Sequence, residues 1–443
     1  MISGYINSVP FSVYEGHDLV TSTATKYLKW VPEGATGSVQ IGDNTYSLQY
    51  FRTNSIPHGG IRFINCNFTS VETNINDLIR PDGTPYGPFE SCSKLKTVNC
   101  FGCATLYNHG LANDSGTFQD CSALKNVYLP LVQSLGRYCF ANCTSLERIS
   151  LPSCSTLSSY AFLGCSRLKY VYLPECVSAG PYAFDACILL ESISLPKCLH
   201  VDSGCFIDCW SLKTVDIPLI TEIYNYTFYH CSALQTISLS ECTTVGNSAF
   251  LGCTGLQNVY LPKCTSLGKY VFSGCSVENI NIPSCSQIGV EAFRGWCGTN
   301  LCLPYAGEIG ASAFQNCITL QNINIFSCWY IYSSAFRGCT GLTSVFLPEV
   351  IDLESYVFAD CTSMSVAVLP KCMSMKHYAF ASCTSLSTLV LGRSKCTIYS
   401  RTFINTPFAS GSGSIYVPSE YVNDYKNDSN WASLSSIIYP LPV

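Results

Sequence analysis

Hydrophobic positions recur along this chain with a period close to 22 residues. Phenylalanine marks the period most clearly: it occupies every 22nd position from Phe118 to Phe272 and continues at spacings of 21 to 23 residues to Phe403. Phe89 precedes this series after a wider gap, which makes fifteen marks in all. A fixed period of this length is typical of repeat architectures, so the chain is predicted to fold as a series of similar units.

Each unit contains one short predicted strand. In the unit from Cys165 to Ala186, Leu168, Val171 and Leu173 follow the pattern L-x-x-V-x-L. The period-two alternation at its end indicates a half-buried β-strand. Pro174 then ends the strand, because proline cannot donate a hydrogen bond to a sheet ladder. After about six residues of predicted loop, Tyr-Ala-Phe returns the chain to the interior.

The repeat predicts the fold class. A unit of this size cannot bury its apolar side alone, whereas stacked units form a continuous core beneath a parallel sheet. We therefore expect an α/β-type repeat solenoid, a leucine-rich-repeat array with a parallel β-sheet on one face. About fifteen units of 21–23 residues occupy residues 58–410, with insertions at 72–88 and 107–117. The first insertion would add about twelve residues if Ile61, Ile64 and Cys66 form the strand of that unit.

The two ends of the chain lack the repeat. Residues 1–57 are predicted to form a small β-rich N-terminal cap or attachment module, and alternation at 38–41 and 46–50 predicts a β-hairpin there. Residues 411–443 are predicted to form a short α/β C-terminal cap, with a helix that begins near Ser419. Such ends are expected because an exposed terminal layer of a solenoid would aggregate.

The repeat resembles a known family. Its pattern, L-x-x-V-x-L-P followed by A-F-x-x-C, is clearest at 247–253 and 333–339 and is similar to the BspA-like, or Treponema-type, leucine-rich repeats over about residues 86–410. The resemblance implies a non-enzymatic protein of the cell surface or extracellular space. It also implies an extended, adhesion-type surface that recognises a protein or glycan ligand on a host or neighbouring cell.

Charge and motifs exclude several other classes. The formal net charge is −5 with no cluster of Lys and Arg, so no nucleic-acid surface is expected. No run of 18 apolar residues predicts a membrane-spanning helix, and no secretion signal is visible. The six histidines fit no metal-binding spacing, and no catalytic or phosphate-binding motif occurs. We therefore expect no enzyme, no cofactor and no metal, and the oligomeric state is not predicted.

Cysteine is abundant, and most of it follows the repeat. Of the 29 cysteines, 13 lie three residues after a repeat phenylalanine and nine lie three residues after the last apolar residue of a strand. Val350, Ile220 and Ala306 take the cysteine place in the second set, which indicates a packing role. We expect reduced, buried thiols, and the Cys100–Cys103 pair is explained by register rather than by metal or redox chemistry. Cys302 is expected to point outward.

The thiols suggest a second functional class. Many reduced cysteines and no visible signal favour folding in a reducing compartment, which fits poorly with a secreted adhesin. A virion-associated structural or receptor-binding protein, anchored by residues 1–57 and assembled in the cytosol, is the alternative hypothesis. Association with particles rather than with a cell wall would distinguish the two.

Candidate binding residues come from two places. Residues at outward strand positions would line one face of the array, where tyrosine gives large contact area at low entropy cost, although cross-strand stacking alone could also explain them. Residues in the two insertions could form a binding loop pair or a cap. The candidates are Tyr128, Tyr170, Tyr172, Asp216, Tyr260 and Phe346 on strands, and Arg80, Asp82, His109, Asn113 and Asp114 in the insertions. A further tyrosine column two residues before the phenylalanines is expected to serve stacking.

Overall fold

The computed structural model describes residues 89–99, 104, 106, 116–392 and 395–442 in full. It describes the backbone alone for strands within residues 2–73, for Cys100 and for Thr105. The fold is a parallel β-solenoid of about 14 turns with few helices, as the repeat predicts. The chain divides into two compact units, residues 1–220 with 230–233 and residues 221–229 with 234–443.

The strands of the L-x-x-V-x-L segments and their counterparts at the ends of the array form a series that we call the first ladder, in which each strand pairs in parallel with at least one neighbouring layer. Tyr170–Tyr172, for example, pairs in register with Arg148–Ser150. In the first unit these strands are Ser70–Thr73, Thr97–Cys100, Asn126–Tyr128, Arg148–Ser150, Tyr170–Tyr172, Ser192–Ser194 and Thr214–Asp216. In the second they are Thr236–Ser238, Asn258–Tyr260, Asn279–Asn281, Asn300–Cys302, Asn322–Asn324, Ser344–Phe346, Val366–Leu369, Thr388–Leu391, Ser414–Val417 and Ile438–Pro440.

A second ladder runs through the segment that the sequence predicts as loop. Its strands are only two residues long, but each again pairs in parallel with at least one neighbouring layer. The first unit contains Thr105–Leu106, Ser134–Leu135, Thr156–Leu157, Ser178–Ala179 and His200–Val201. The second contains Glu222–Ile223, Thr244–Val245, Ser266–Leu267, Gln287–Ile288, Glu308–Ile309, Tyr330–Ile331, Asp352–Leu353, Ser374–Met375 and Thr397–Ile398.

The third side of each layer is a tight turn around the repeat phenylalanine. Alternate residues of the turn donate backbone hydrogen bonds to the next layer, as from Phe140 N to Ala161 O at 2.8 Å. Two residues of the turn have left-handed backbone, such as Tyr160 with φ of 61° and Gly164 with φ of 68°. Glycine takes this conformation at no steric cost, whereas a tyrosine that does so needs compensating contacts.

The phenylalanines form a continuous stack inside each unit. Ring centroids of neighbouring layers are 5.2–5.5 Å apart from Phe89 to Phe206 in the first unit. They are 5.1–5.8 Å apart from Phe228 to Phe403 in the second. The predicted phenylalanine column is therefore the core of the turn side.

The cysteine columns are buried, as predicted, and they also make hydrogen bonds. In the first column twelve of the thiols donate to the carbonyl of the phenylalanine one layer back, at 3.0–3.3 Å. These thiols are Cys121, Cys143, Cys165, Cys187, Cys209, Cys231, Cys253, Cys275, Cys317, Cys339, Cys361 and Cys383. In the second column the thiol donates to the carbonyl two residues on, as Cys198 does to His200 O at 3.2 Å.

Burial changes the chemistry of these thiols. It raises the pKa of Cys121, Cys165 and Cys383 to about 12, because the thiolate would lose its hydration inside the stack. No disulfide joins the 26 cysteines whose side chains are described, and only Cys297 and Cys302 among them are exposed. The prediction for Cys302 is thus confirmed, while Cys66, Cys100 and Cys103 lie outside the described side chains.

The strand of the first repeat is not the one expected from sequence. Ser70–Thr73, rather than the segment of Ile61, Ile64 and Cys66, pairs in parallel with Thr97–Cys100. Ile61 lies in Ile56–Arg62, which pairs antiparallel with Gln49–Thr53. The hydrophobic spacing of 61–66 resembles that of the repeat, but Ile61 is paired within a hairpin and the parallel pairing begins at Ser70.

With Ser70–Thr73 as the strand of this repeat, the first insertion is shorter than the sequence predicts. The interval from Ser70 to Phe89 is 19 residues, against 14 from Asn126 to Phe140, so the excess is five residues rather than about twelve.

Strands also pair at the two ends of the array. At the N-terminal side, Ile2–Ile6 pairs antiparallel with Val9–Tyr14, which pairs antiparallel with Ser70–Thr73. The predicted hairpin is present, with Ser38–Ile41 paired to Asn44–Ser47. At the C-terminal side Ile438–Pro440 adds a parallel strand to Ser414–Val417.

The described helical segments lie in the C-terminal part of the chain. They comprise the α-helix Val422–Asn427 and the 3-10 turns Pro407–Ser410, Ser419–Tyr421 and Ala432–Ile437. Trp431 is buried here, and its indole Nε1 donates to Cys396 O at 2.7 Å. The indole thus ties this segment to a layer of the array through a buried hydrogen bond.

Candidate binding surface

The outward positions of the first ladder carry the predicted tyrosines of the first unit. Because side chains alternate along a strand, Tyr170 and Tyr172 point away from the core together, and Tyr172 is 57% exposed. The Arg148 guanidinium carbon lies 5.9 Å from the centroid of the Tyr170 ring. Tyr128 is also exposed, two layers before Tyr172 and so roughly 10 Å away by strand spacing. These three rings share one side of the first unit.

Small polar residues separate these tyrosines. Ser150 is paired in register with Tyr172, and Ser194 occupies the same strand position one repeat later. Ser194 donates its hydroxyl to the Asp216 carboxylate at 2.7 Å, so Asp216 is exposed but already has a cross-strand partner. The alternation of large and small residues leaves the phenol rings accessible from the sides as well as from above.

The second unit carries a smaller set at the same strand positions. Tyr260 pairs in register with Ser238 and Asn281, and Phe346 pairs with Val368. Both rings are exposed. The Phe346 ring also meets Phe326 edge-on at 6.1 Å. Phe326 is not among the predicted binding residues. Most repeats have proline at its position, so the replacement of proline by phenylalanine is the feature of the sequence that points to it.

The candidates in the insertions have no structural description. Arg80, Asp82, His109, Asn113 and Asp114 lie outside the described residues. Their assignment to a binding loop or a cap stays a prediction.

The tyrosine column of the turns has the structural role that was expected. Tyr138, Tyr160 and Tyr182 stack with centroids 4.7 and 5.0 Å apart, and Tyr356 stacks on Tyr378 at 4.8 Å. The backbone of all five is left-handed. Ring stacking adds favourable contacts at these five positions, although Ser248, Ser312 and Ser334 adopt the same left-handed backbone at this position without a ring.

One cluster of titratable groups lies on the turns of the first unit. His230 Nδ1 is 3.0 Å from Asp208 Oδ1, which also accepts a hydrogen bond from Trp210 Nε1 at 3.2 Å. Burial, and secondarily the Asp208 charge, raises the pKa of Asp185 to about 6. These contacts link neighbouring layers. Across the described residues, no group of three or more His, Cys, Asp or Glu side chains is arranged to hold a metal ion.

A second exposed aromatic group lies on the second ladder and was missed by sequence reasoning. Trp329, Tyr330 and Tyr332 belong to one layer and surround the buried Ile331. The sequence does contain a sign of this group, because three of the four residues from 329 to 332 are aromatic. It was overlooked because this segment was predicted as loop, so no side-chain alternation was expected.

Layered parallel ladders, a stacked phenylalanine core and outward aromatic positions together define a leucine-rich-repeat solenoid. A profile of the BspA type leucine-rich repeat region matches residues 89–197, 113–234, 177–300 and 307–421. The first three matches overlap, and the four together cover most of the chain, so the protein belongs to the BspA-type leucine-rich-repeat family. This fold is used for protein binding and is typically non-enzymatic.

A solved leucine-rich repeat protein shows the same architecture. A leucine-rich repeat protein from Bacteroides ovatus is 21% identical, covers 77% of this chain and 92% of its own, and has a TM-score of 0.51. A leucine-rich cell surface protein from Faecalibacterium prausnitzii is 19% identical over 81% of this chain and 95% of its own, with a TM-score of 0.38. A search of curated proteins returns no match. No helix in the described part of the chain has the length and apolar character needed to cross a bilayer.

Proposed function

We propose that this protein is a non-enzymatic, adhesion-type binding protein that recognises a protein ligand through the outward positions of the first ladder. The observation that carries the proposal is the pair Tyr170 and Tyr172, which project side by side from one strand and remain exposed. Exposed aromatic side chains on a rigid backbone are typical of interaction sites, because they bury much area while losing few rotamers.

The backbone beneath these rings supports the proposal. Tyr170–Tyr172 is hydrogen-bonded in register to Arg148–Ser150, so binding would require little ordering of the main chain. Arg148 beside Tyr170 adds a guanidinium that can donate to carbonyl or carboxylate groups of a ligand. The surface therefore offers apolar area and a donor within two neighbouring layers.

The test replaces Tyr128, Tyr170 and Tyr172 together by alanine and screens the purified chain against protein and glycan arrays. We expect the wild type to bind protein ligands and the triple variant to bind them at least about tenfold more weakly, which corresponds to about 1.4 kcal/mol. The matched control replaces Leu131, Leu189 and Leu199, which are exposed apolar residues of the same unit outside the first ladder. Equal losses in both variants, or hits on glycans alone, would contradict the proposal.

A further inference from the structure

One column of residues, each directly before a strand of the second ladder, changes character within the second unit. It consists of the residue that follows the second cysteine of each repeat. In Thr243, Thr265 and Ser286 the side-chain hydroxyl donates to the carbonyl one layer back, at 3.1–3.2 Å. In this stretch of the column, each hydroxyl therefore has a hydrogen-bond partner in the neighbouring layer.

Further along, the same column becomes an exposed apolar stripe. Trp329, Ile351 and Met373 lie in successive layers, joined by backbone hydrogen bonds of 3.0 and 2.7 Å. Trp329 is 46% exposed and Met373 is 49% exposed. Gly307 precedes them, and a Cβ there would lie 3.2 Å from the indole Nε1 of Trp329, so the glycine gives the indole room. Three adjacent apolar side chains at one surface are typical of a contact site.

Two tyrosines extend this stripe into an aromatic group. The Tyr330 ring lies 5.8 Å from the Trp329 ring and 4.7 Å from the Tyr332 ring, at steep angles to both. We call Trp329, Tyr330 and Tyr332 the aromatic triplet. Rings set at angles present π-faces in more than one direction, which is the arrangement that attracts a cation.

Carboxylates border the aromatic triplet on both neighbouring layers. Tyr330 pairs in register with Glu308 on one side and Asp352 on the other. Its hydroxyl donates to Glu354 Oε1 at 2.6 Å, and the Tyr332 hydroxyl donates to Glu308 Oε2 at 3.3 Å. These hydrogen bonds hold the carboxylates beside the rings while leaving their remaining lone pairs available.

These carboxylates differ from others on the surface. Glu241 and Glu349 each pair with a lysine one layer on, Lys263 and Lys371, at 2.6 Å. Within the described ranges, Glu308, Asp352 and Glu354 form no ion pair. Lys376 follows Glu354 by one repeat, but its amine lies 4.5 Å from the Tyr399 ring centroid and donates to the Tyr399 hydroxyl. Negative charge at the triplet is thus left without a cation of its own.

We propose that this surface docks a basic segment of a protein partner. An arginine of the partner stacks its guanidinium on the triplet and pairs with Glu308 or Glu354, while a neighbouring apolar side chain covers Ile351 and Met373. Guanidinium is planar, weakly hydrated and suited both to aromatic faces and to carboxylates, so it alone uses all the features of this site. The three-layer apolar stripe is longer than a small ammonium ion needs, which favours a peptide. The inference is independent of the first-ladder proposal.

The test titrates short synthetic peptides in which one arginine is flanked by leucines, and compares them with the same peptides carrying citrulline. Citrulline keeps the size and planarity of arginine but has no charge. The chain has four methionines, of which Met364 and Met375 are fully buried, so ¹³C-methyl labelling gives Met373 as a reporter on the stripe. We expect the Met373 signal to shift with arginine peptides and those of Met364 and Met375 to stay unchanged.

Two variants distinguish the contribution of the Trp329 indole to peptide binding from that of the carboxylates. Trp329→Ala should weaken arginine-peptide binding at least about tenfold, and E308Q/E354Q should lower it to the citrulline level. Trp210→Ala is the matched control, because Trp210 is a tryptophan of similar exposure (52%) in the other unit. Equal affinities for arginine and citrulline peptides, an unaffected W329A variant, or no binding by any arginine peptide up to about 1 mM would overturn the proposal.

Discussion

The interior columns and the outward strand positions use the same repeat in opposite ways. Phe162, Phe184 and Phe206 are identical in successive layers and stack on one another. The outward positions of the same layers hold Ser150, Tyr172 and Ser194, a large aromatic side chain between two small polar ones. An interior side chain is surrounded by copies of itself, so one residue type that packs on itself suits every layer. Outward side chains meet solvent, where each layer is free to differ, and that is where recognition can be encoded.

The largest expected effect concerns the interior thiols together, at alkaline pH. Burial raises the pKa of Cys121, Cys143, Cys165 and Cys187 in the folded state, so each of these thiols ionises near pH 9 when unfolded but stays protonated when buried. The unfolded state then binds fewer protons, and stability that is intact below pH 9 falls as pH rises towards 12. Each such thiol should lower the free energy of unfolding by about 1.4 kcal/mol per pH unit.

Urea titrations followed by circular dichroism at pH 8, 9, 10 and 11, under reducing conditions, measure this slope. Replacement of Cys143, Cys165 and Cys187 by alanine should make the slope shallower, since three thiols no longer ionise on unfolding. A free energy of unfolding that is level across this range would show that the buried thiols are not protonated as the structure implies.

The next effect compares one interior ring with one outward ring. Phe184→Ala should lower the free energy of unfolding by about 3–5 kcal/mol, because it removes a ring stacked between Phe162 and Phe206 and leaves a cavity. Tyr172→Ala, one strand away but exposed, should change it by less than about 0.5 kcal/mol. Chemical denaturation of both variants measures the difference. Similar losses would mean that the outward tyrosines stabilise the sheet rather than serve binding.

The smallest expected effect is on the free energy of unfolding when a buried or an exposed cysteine is replaced by alanine. Cys165→Ala removes a buried hydrogen bond to Phe140 O and should cost about 1–2 kcal/mol. Cys302→Ala, at an exposed strand position, should be nearly neutral. The same denaturation experiment reports both, and thiol labelling of the native protein should modify Cys302 and Cys297 far faster than Cys165. Fast labelling of Cys165 would contradict the buried column.

Much of the fold follows from sequence because the repeat encodes it many times. The period, the strand at Leu168–Leu173, the phenylalanine stack and the buried cysteines all depend on contacts between equivalent positions, which the register of the sequence places next to one another. The same logic located Tyr128, Tyr170 and Tyr172 on an exposed face. Where the period fails, as around Ile61, local alternation alone pointed to the wrong strand.

What the sequence by itself determined is the set of columns: which residues repeat, and therefore which must be buried against their own copies. Only the tertiary structure decided which contacts form between residues at different positions of the repeat. It added the second ladder, the carbonyl that each thiol donates to, the left-handed tyrosines and the carboxylates around Trp329, Tyr330 and Tyr332. These depend on backbone hydrogen bonds and side-chain directions between neighbouring layers. A periodic pattern states that two residues are stacked, but it does not state which of their atoms touch.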